Sequence, residues 1–116
     1  MNARPISMAE LPAPAGREAE WNDWYHRVHI PEALSRRAGP KHSIRYRLIA
    51  GDDDVRYLAI YEFESEEVLR ADFDSPGHGP RRSEYEQLWG SGSARAVRRR
   101  AFVPLFEYGD RTTVMR

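Results

Sequence analysis

Apolar residues recur along this chain with two periods, and the switches between those periods mark its elements. Arg4–Leu11 reads as a weak first strand, since Ile6 is its one β-branched residue. Gly16 then opens an amphipathic helix. Trp21, Trp24, Tyr25 and Val28 fall at i, i+3, i+4 and i+7, while Glu20, Asn22, Asp23 and Arg27 take the opposite face. Proline disfavours helical backbone in the residue before it, so Pro31 predicts that this helix ends or kinks near His29. A short second turn, Pro31–Arg37, follows with proline at its first position, and Gly39-Pro40 stops it.

Ser43–Ile49 alternates with period two: Ile44, Tyr46 and Leu48 point one way, Arg45 and Arg47 the other. Gly51-Asp52-Asp53-Asp54 is a turn cluster, and Val55–Phe63 is the returning strand of an antiparallel hairpin. Ser65 caps a helix with Glu66 and Glu67 in its first turn, where negative charge is favourable. That helix buries Val68, Leu69 and Phe73 and stops at Ser75-Pro76-Gly77. A further short helix, about Arg81–Trp89, precedes a last strand over Val97–Tyr108, in which Pro104 implies an edge or a bulge. The order is β-α-β-β-α-β with one extra short helix. It predicts an α+β, ferredoxin-like arrangement with a four-stranded antiparallel sheet.

Composition narrows the chemistry. With 116 residues the chain is long enough for one core and too short for two ordinary domains. We therefore expect a single domain over 1–116, with 1–15 a weak strand or partly flexible and 109–116 a tail. Zero cysteines exclude disulfides, thiolate nucleophiles and iron–sulfur clusters. No apolar run reaches the roughly 18 residues of a membrane span, and the first ten residues lack the order of a signal peptide. A cytoplasmic protein with no membrane partner is the expectation. Eighteen basic residues balance eighteen acidic ones, which weighs against nucleic acid as a partner. The balance hides a split. Residues 51–74 hold nine acids against Arg56 and Arg70, whereas 81–100 hold six arginines against Glu84 and Glu86. Arg95, Arg98, Arg99 and Arg100 are candidates for an anion or carboxylate site, with a cross-strand or cross-subunit salt network the preferred reading. Alternation puts Arg98 and Arg100 on one face of the last strand and Arg99 on the other, so they cannot all form one patch.

Trp24-Tyr25-His26-Arg27-Val28-His29-Ile30-Pro31, preceded by Arg17-Glu18-Ala19-Glu20-Trp21-Asn22, resembles the first-helix signature of EthD-like proteins of the dimeric α+β barrel superfamily. Ile44-Arg45-Tyr46 and Tyr57-Leu58-Ala59-Ile60-Tyr61-Glu62 resemble that group in order and spacing. The resemblance implies two four-stranded sheets paired into a barrel across a homodimer. The strand around Leu58 and Ile60 independently needs a partner, being apolar on both faces. The resemblance also implies a small enzyme without a cofactor: a lyase, isomerase or cyclase for a planar, enolisable substrate such as an aromatic polyketide-type compound. Cofactor-independent monooxygenases and noncatalytic small-ligand-binding or stress-related dimers are the alternatives.

Histidine, tyrosine and arginine remain as the chemical side chains. His29 lies eight residues after Trp21 and four after Tyr25, on the apolar face of the first helix. An imidazole there is a general acid/base, favoured in its charged form by the helix end and disfavoured by burial. The alternative is a buried histidine bonding a carbonyl freed by Pro31. Tyr46 and Tyr61, mid-strand on neighbouring strands, are candidates to stabilise an enolate, or else they simply pack in the sheet. Trp24, Tyr25 and Trp89 are aromatic surfaces for a planar ligand, with core packing as the alternative role. His78 lies in a predicted loop that would cover a cleft mouth. No metal site is expected, because His26 and His29 straddle the polar and apolar faces of one helix.

Overall fold

The computed structural model describes residues 2–51, 56–75 and 78–110, with the side chains of 78–80 and 95–96 outside that description. Among the described residues four strands, β1 (Ile6–Pro12), β2 (His42–Arg47), β3 (Arg56–Glu62) and β4 (Arg98–Phe102), form one antiparallel sheet in the order β2-β3-β1-β4. The predicted β-α-β-β-α-β order is the observed one, and the fold is ferredoxin-like. Most of the predicted hairpin turn, Asp52–Asp54, lies outside the described residues.

Strand pairing sorts the side chains onto two faces. Ala9 pairs with Ala59 and Leu11 with Tyr57, and these positions, together with Ser7 and Tyr61, look toward the helices. The other face carries three cross-sheet rows: His42, Glu62, Ile6 and Phe102; Ile44, Ile60, Met8 and Arg100; Tyr46, Leu58, Glu10 and Arg98. Arg99 takes the helix-side face and Arg98 and Arg100 the outer one, as their alternation requires.

Helix α1 (Glu18–Trp24) does not end at His29. It widens into a π turn, Tyr25–His29, and continues as α2 (Ile30–Ser35). Ile30 stays helical at φ −68°, ψ −47°, and its N–H donates to the Tyr25 carbonyl five residues back. The extra residue in this turn accommodates the ring and the missing N–H of Pro31, which a regular α-helix would not. Helix α2 closes at Arg36, whose backbone is extended, and the chain doubles back at Gly39. A side chain there would place its first carbon 2.7 Å from the Ala33 carbonyl oxygen, so the return is open only to glycine.

Helix α3 (Glu66–Phe73) begins as predicted, the Ser65 hydroxyl accepting from the Val68 N–H at 3.2 Å. Helix α4 (His78–Trp89) starts three residues before the predicted Arg81. Pro80 is tolerated because it falls in the first turn, and His78 is therefore a helical residue rather than part of a loop. A 3-10 turn, Ser93–Ala96, leads into β4. That strand stops at Phe102, well short of the predicted Tyr108, because Pro104 has no N–H to pair. Val103, Leu105, Phe106 and Tyr108 leave the sheet and stand exposed, while the Glu107 carboxylate accepts from the N–H groups of Asn2 and Ala3.

Trp21, fully buried, is the centre of the core. Its ring meets Tyr25 and Tyr57 edge-on, each at 5.1 Å, and its Nε1–H donates to the Tyr85 hydroxyl at 2.9 Å. Leu11, Ala59 and Trp89 complete that cluster.

Candidate functional site

A cavity of about 420 Å³ opens between the sheet and the helices. Ser7, Ala9 and Leu11 of β1 and Tyr61 of β3 form its floor. Tyr25, His29, Ala33 and Arg36 enter from the first helical layer, Asp72 and Phe73 from α3, and Arg81 and Tyr85 from α4. Val97 and Arg99 close the remaining side. Mixed apolar and polar linings of this size suit a small organic molecule.

His29 reaches the cavity through the π turn. Residues five apart are near neighbours in such a turn, so the His29 ring stacks on Trp24, with centroids 4.9 Å apart and planes 26° from parallel. Tyr25 meets the same imidazole edge-on at 4.8 Å. Burial, and then the charges of Arg36, Arg81 and Arg45, push the imidazole down to about 4 from its usual 6.5. His29 is thus neutral at pH 7. The helix-end effect expected to favour its charged form is missing because α2 continues the helix beyond it.

Tyr61 presents a hydroxyl that is buried and has no hydrogen-bond partner among the described residues. Burial pushes its ionisation up to about 12, with Arg45, Arg36 and Arg99 working in the opposite direction, so it remains a donor at neutral pH. Tyr25 is likewise held in its phenol form, well above its ordinary value, by burial.

The other expected residues fall elsewhere. Tyr46 pairs with Leu58, and Tyr61 pairs with Ser43, so the two tyrosines lie on opposite faces of the sheet. Tyr46 is half-exposed on the outer face and does not join the cavity. The apolar side of β2 proves to be the outer one, and its inner side carries arginine. Trp24 and Trp89 pack edge-on against each other at 5.6 Å and belong to the core; neither lines the cavity. His78 begins α4, and its side chain lies outside the described residues.

Sequence reasoning singled out neither Arg36 nor Arg45. Arg36 donates to the Asp72 carboxylate at 2.6 Å, fastening the end of α2 to α3 beside the cavity. Behind Tyr25, Arg45 sits over the rings of Tyr25, Trp21 and Tyr57 at 4.2, 4.9 and 5.0 Å. Its Nη1 donates to the Asn22 side-chain oxygen at 2.7 Å, while Nε and Nη2 are buried without hydrogen-bond partners among the described residues. Tyr57 in turn donates to Glu18. The available signal was parity: Arg45 and Arg99 alternate with outer-face residues in their own strands.

Among the described residues no three histidine, aspartate or glutamate side chains converge as metal ligands, and no helix is long and apolar enough to cross a membrane. No protein-family profile matches the chain, and no curated protein matches it. A solved structure similar to it is a dimeric ferredoxin-like protein from an uncultured marine organism. The two are 15% identical over 90% of this chain and 95% of that one, with a TM-score of 0.52, a likeness of fold.

Proposed function

We propose that this chain is an EthD-like, cofactor-independent lyase, isomerase or cyclase for a planar, enolisable substrate such as an aromatic polyketide-type compound. The observation that carries the reading is one cavity lined by both a neutral imidazole, His29, and a buried phenol, Tyr61, whose hydroxyl has no partner among the described residues. His29 takes a proton from carbon next to a carbonyl, and the Tyr61 O–H donates to the oxygen that becomes the enolate. The nearby arginine charges that disfavour an imidazolium favour that enolate, and they make His29 release its proton readily to another carbon or to a leaving group. Trp24 backs the imidazole and fixes its plane.

The working form in this proposal is a homodimer. The outer sheet face presents Ile44, Tyr46 and Phe102 to solvent, and the exposed apolar segment after β4 adjoins it. The similar solved structure is described as dimeric.

Deuterium exchange at C1 of 2-tetralone, an enolisable ketone fused to a flat aromatic ring, tests the chemistry by NMR. Exchange above the buffer rate should fall roughly a hundredfold or more in His29→Asn and about tenfold in Tyr61→Phe, with circular dichroism unchanged. Exchange at the buffer rate across a panel of planar ketones refutes the enzyme reading. The Trp24–His29 stack favours a second reading, a noncatalytic ligand-binding dimer, which binding without exchange would select. Turnover in oxygen-free buffer separates a lyase, isomerase or cyclase from a monooxygenase.

A further inference from the structure

We propose that the molecule accepted by this cavity carries a carboxylate on its planar skeleton, held by the arginines of α4 and β4. The inference builds on the cavity of the proposed function and names the class of acid it takes. Four arginines line the space, Arg36, Arg81, Arg82 and Arg99, against two carboxylates, Glu32 and Asp72. Arg36 binds Asp72 at 2.6 Å, and Asp72 also favours the charges of Arg81 and Arg99, so the lining as a whole holds two more positive than negative groups. The arginines come from the end of α2, from α4 and from β4, and the fold turns them toward one cavity. It is this surplus that matters, since Arg81 and Arg99 also engage groups of the protein.

Like charges are held together here. Burial works against the charged forms of Arg81 and Arg99; Arg36 adds to this at Arg81 and Arg81 adds to it at Arg99, while Asp72 favours the charge of both. An anion between them relieves that repulsion. Arg99 is also pre-positioned, its guanidinium 4.2 Å over the Phe73 ring, so little side-chain freedom remains to be lost on binding. The planar fork of a guanidinium matches a carboxylate, and Leu11, Phe63 and Val97 offer an apolar bed for the attached ring.

Calorimetric titration with 2-naphthoate and with its neutral isostere 2-naphthamide tests this. Neither compound can be enolised, so the result is independent of turnover. Wild type should bind the acid roughly ten- to a hundredfold more tightly than the amide, the range of a charge-assisted pair. The gap should close in Arg81→Gln/Arg99→Gln and survive in Arg98→Gln, on the outer face. Should the double glutamine variant lose its fold by circular dichroism, Arg99→Gln alone must narrow the gap and Arg99→Lys must retain most of it. Equal affinity for the two compounds, no binding of either, or a gap untouched by the Arg99 variants overturns the proposal. His29→Asn should lose exchange on 2-tetralone yet keep the acid preference, so either claim can fail without the other.

Discussion

Acidification should destabilise this protein through His29 in particular. In the fold its imidazole is pushed down to about 4, against an ordinary 6.5 in the unfolded chain. Because the folded value is the lower one, the unfolded chain binds the proton first. The stabilising contribution is therefore complete above about 6.5 and is lost as pH falls toward 4. Linkage between those two values gives a loss of about 2 kcal/mol by pH 5 and about 3 kcal/mol by pH 4. That is a large share of a typical folding free energy. Carboxylates titrate over the same range, so the measurement must be a difference. His29→Phe keeps a flat ring against Trp24 and Tyr25 but has nothing to protonate. Urea unfolding of both proteins at pH 7, 6, 5 and 4 should show wild type losing about 2 to 3 kcal/mol more than His29→Phe over the series. Parallel losses in the two proteins, or an NMR titration of His29 centred near its ordinary value, would refute the claim that burial and the arginines control this imidazole.

Trp21→Ala removes the ring at the centre of the core and should cost about 3 to 5 kcal/mol in urea unfolding. Ser65→Ala deletes the hydroxyl that accepts from Val68 and should cost about 1 kcal/mol with the overall fold retained by circular dichroism. Ile60→Glu places a charge in the middle row of the outer sheet face, between Ile44 and Met8. Light scattering should find wild type dimeric and this variant monomeric; a monomeric wild type would sink the proposed assembly.

What could be read from residues alone was whatever is decided within one element. The cap at Ser65, the alternation in β2 and β3, and the split of Arg98 and Arg100 from Arg99 all depend on near neighbours, and all hold in the fold. His29 was placed on the inner side of its helix by spacing alone, and it does line the cavity. Relations between elements were less legible. Tyr46 and Tyr61 each sit mid-strand, yet the register of β2 against β3 sends them to opposite faces. Apolar alternation in β2 suggested an inward Tyr46 because no local rule anticipates a cation, Arg45, packed among three aromatic rings on the inner side. The predicted last strand runs through Pro104 to Tyr108, whereas β4 stops at Phe102, two residues before the proline.

The continuation past Pro31 was hidden for a different reason. The proline rule describes an α-helix, and here the backbone leaves that geometry for a single wider turn. That turn contains one residue more than the same span of α-helix would need. Removing the exposed Val28 would put His29 four residues after Trp24 and demand regular α-helix across the turn, the geometry that the ring and missing N–H of Pro31 do not accept. One extra residue thus does two things: it carries Pro31 inside a continuous helix, and it lets a histidine five residues after Trp24 stack on that ring at the cavity. The site depends on the count of residues in its first helix as well as on their identity.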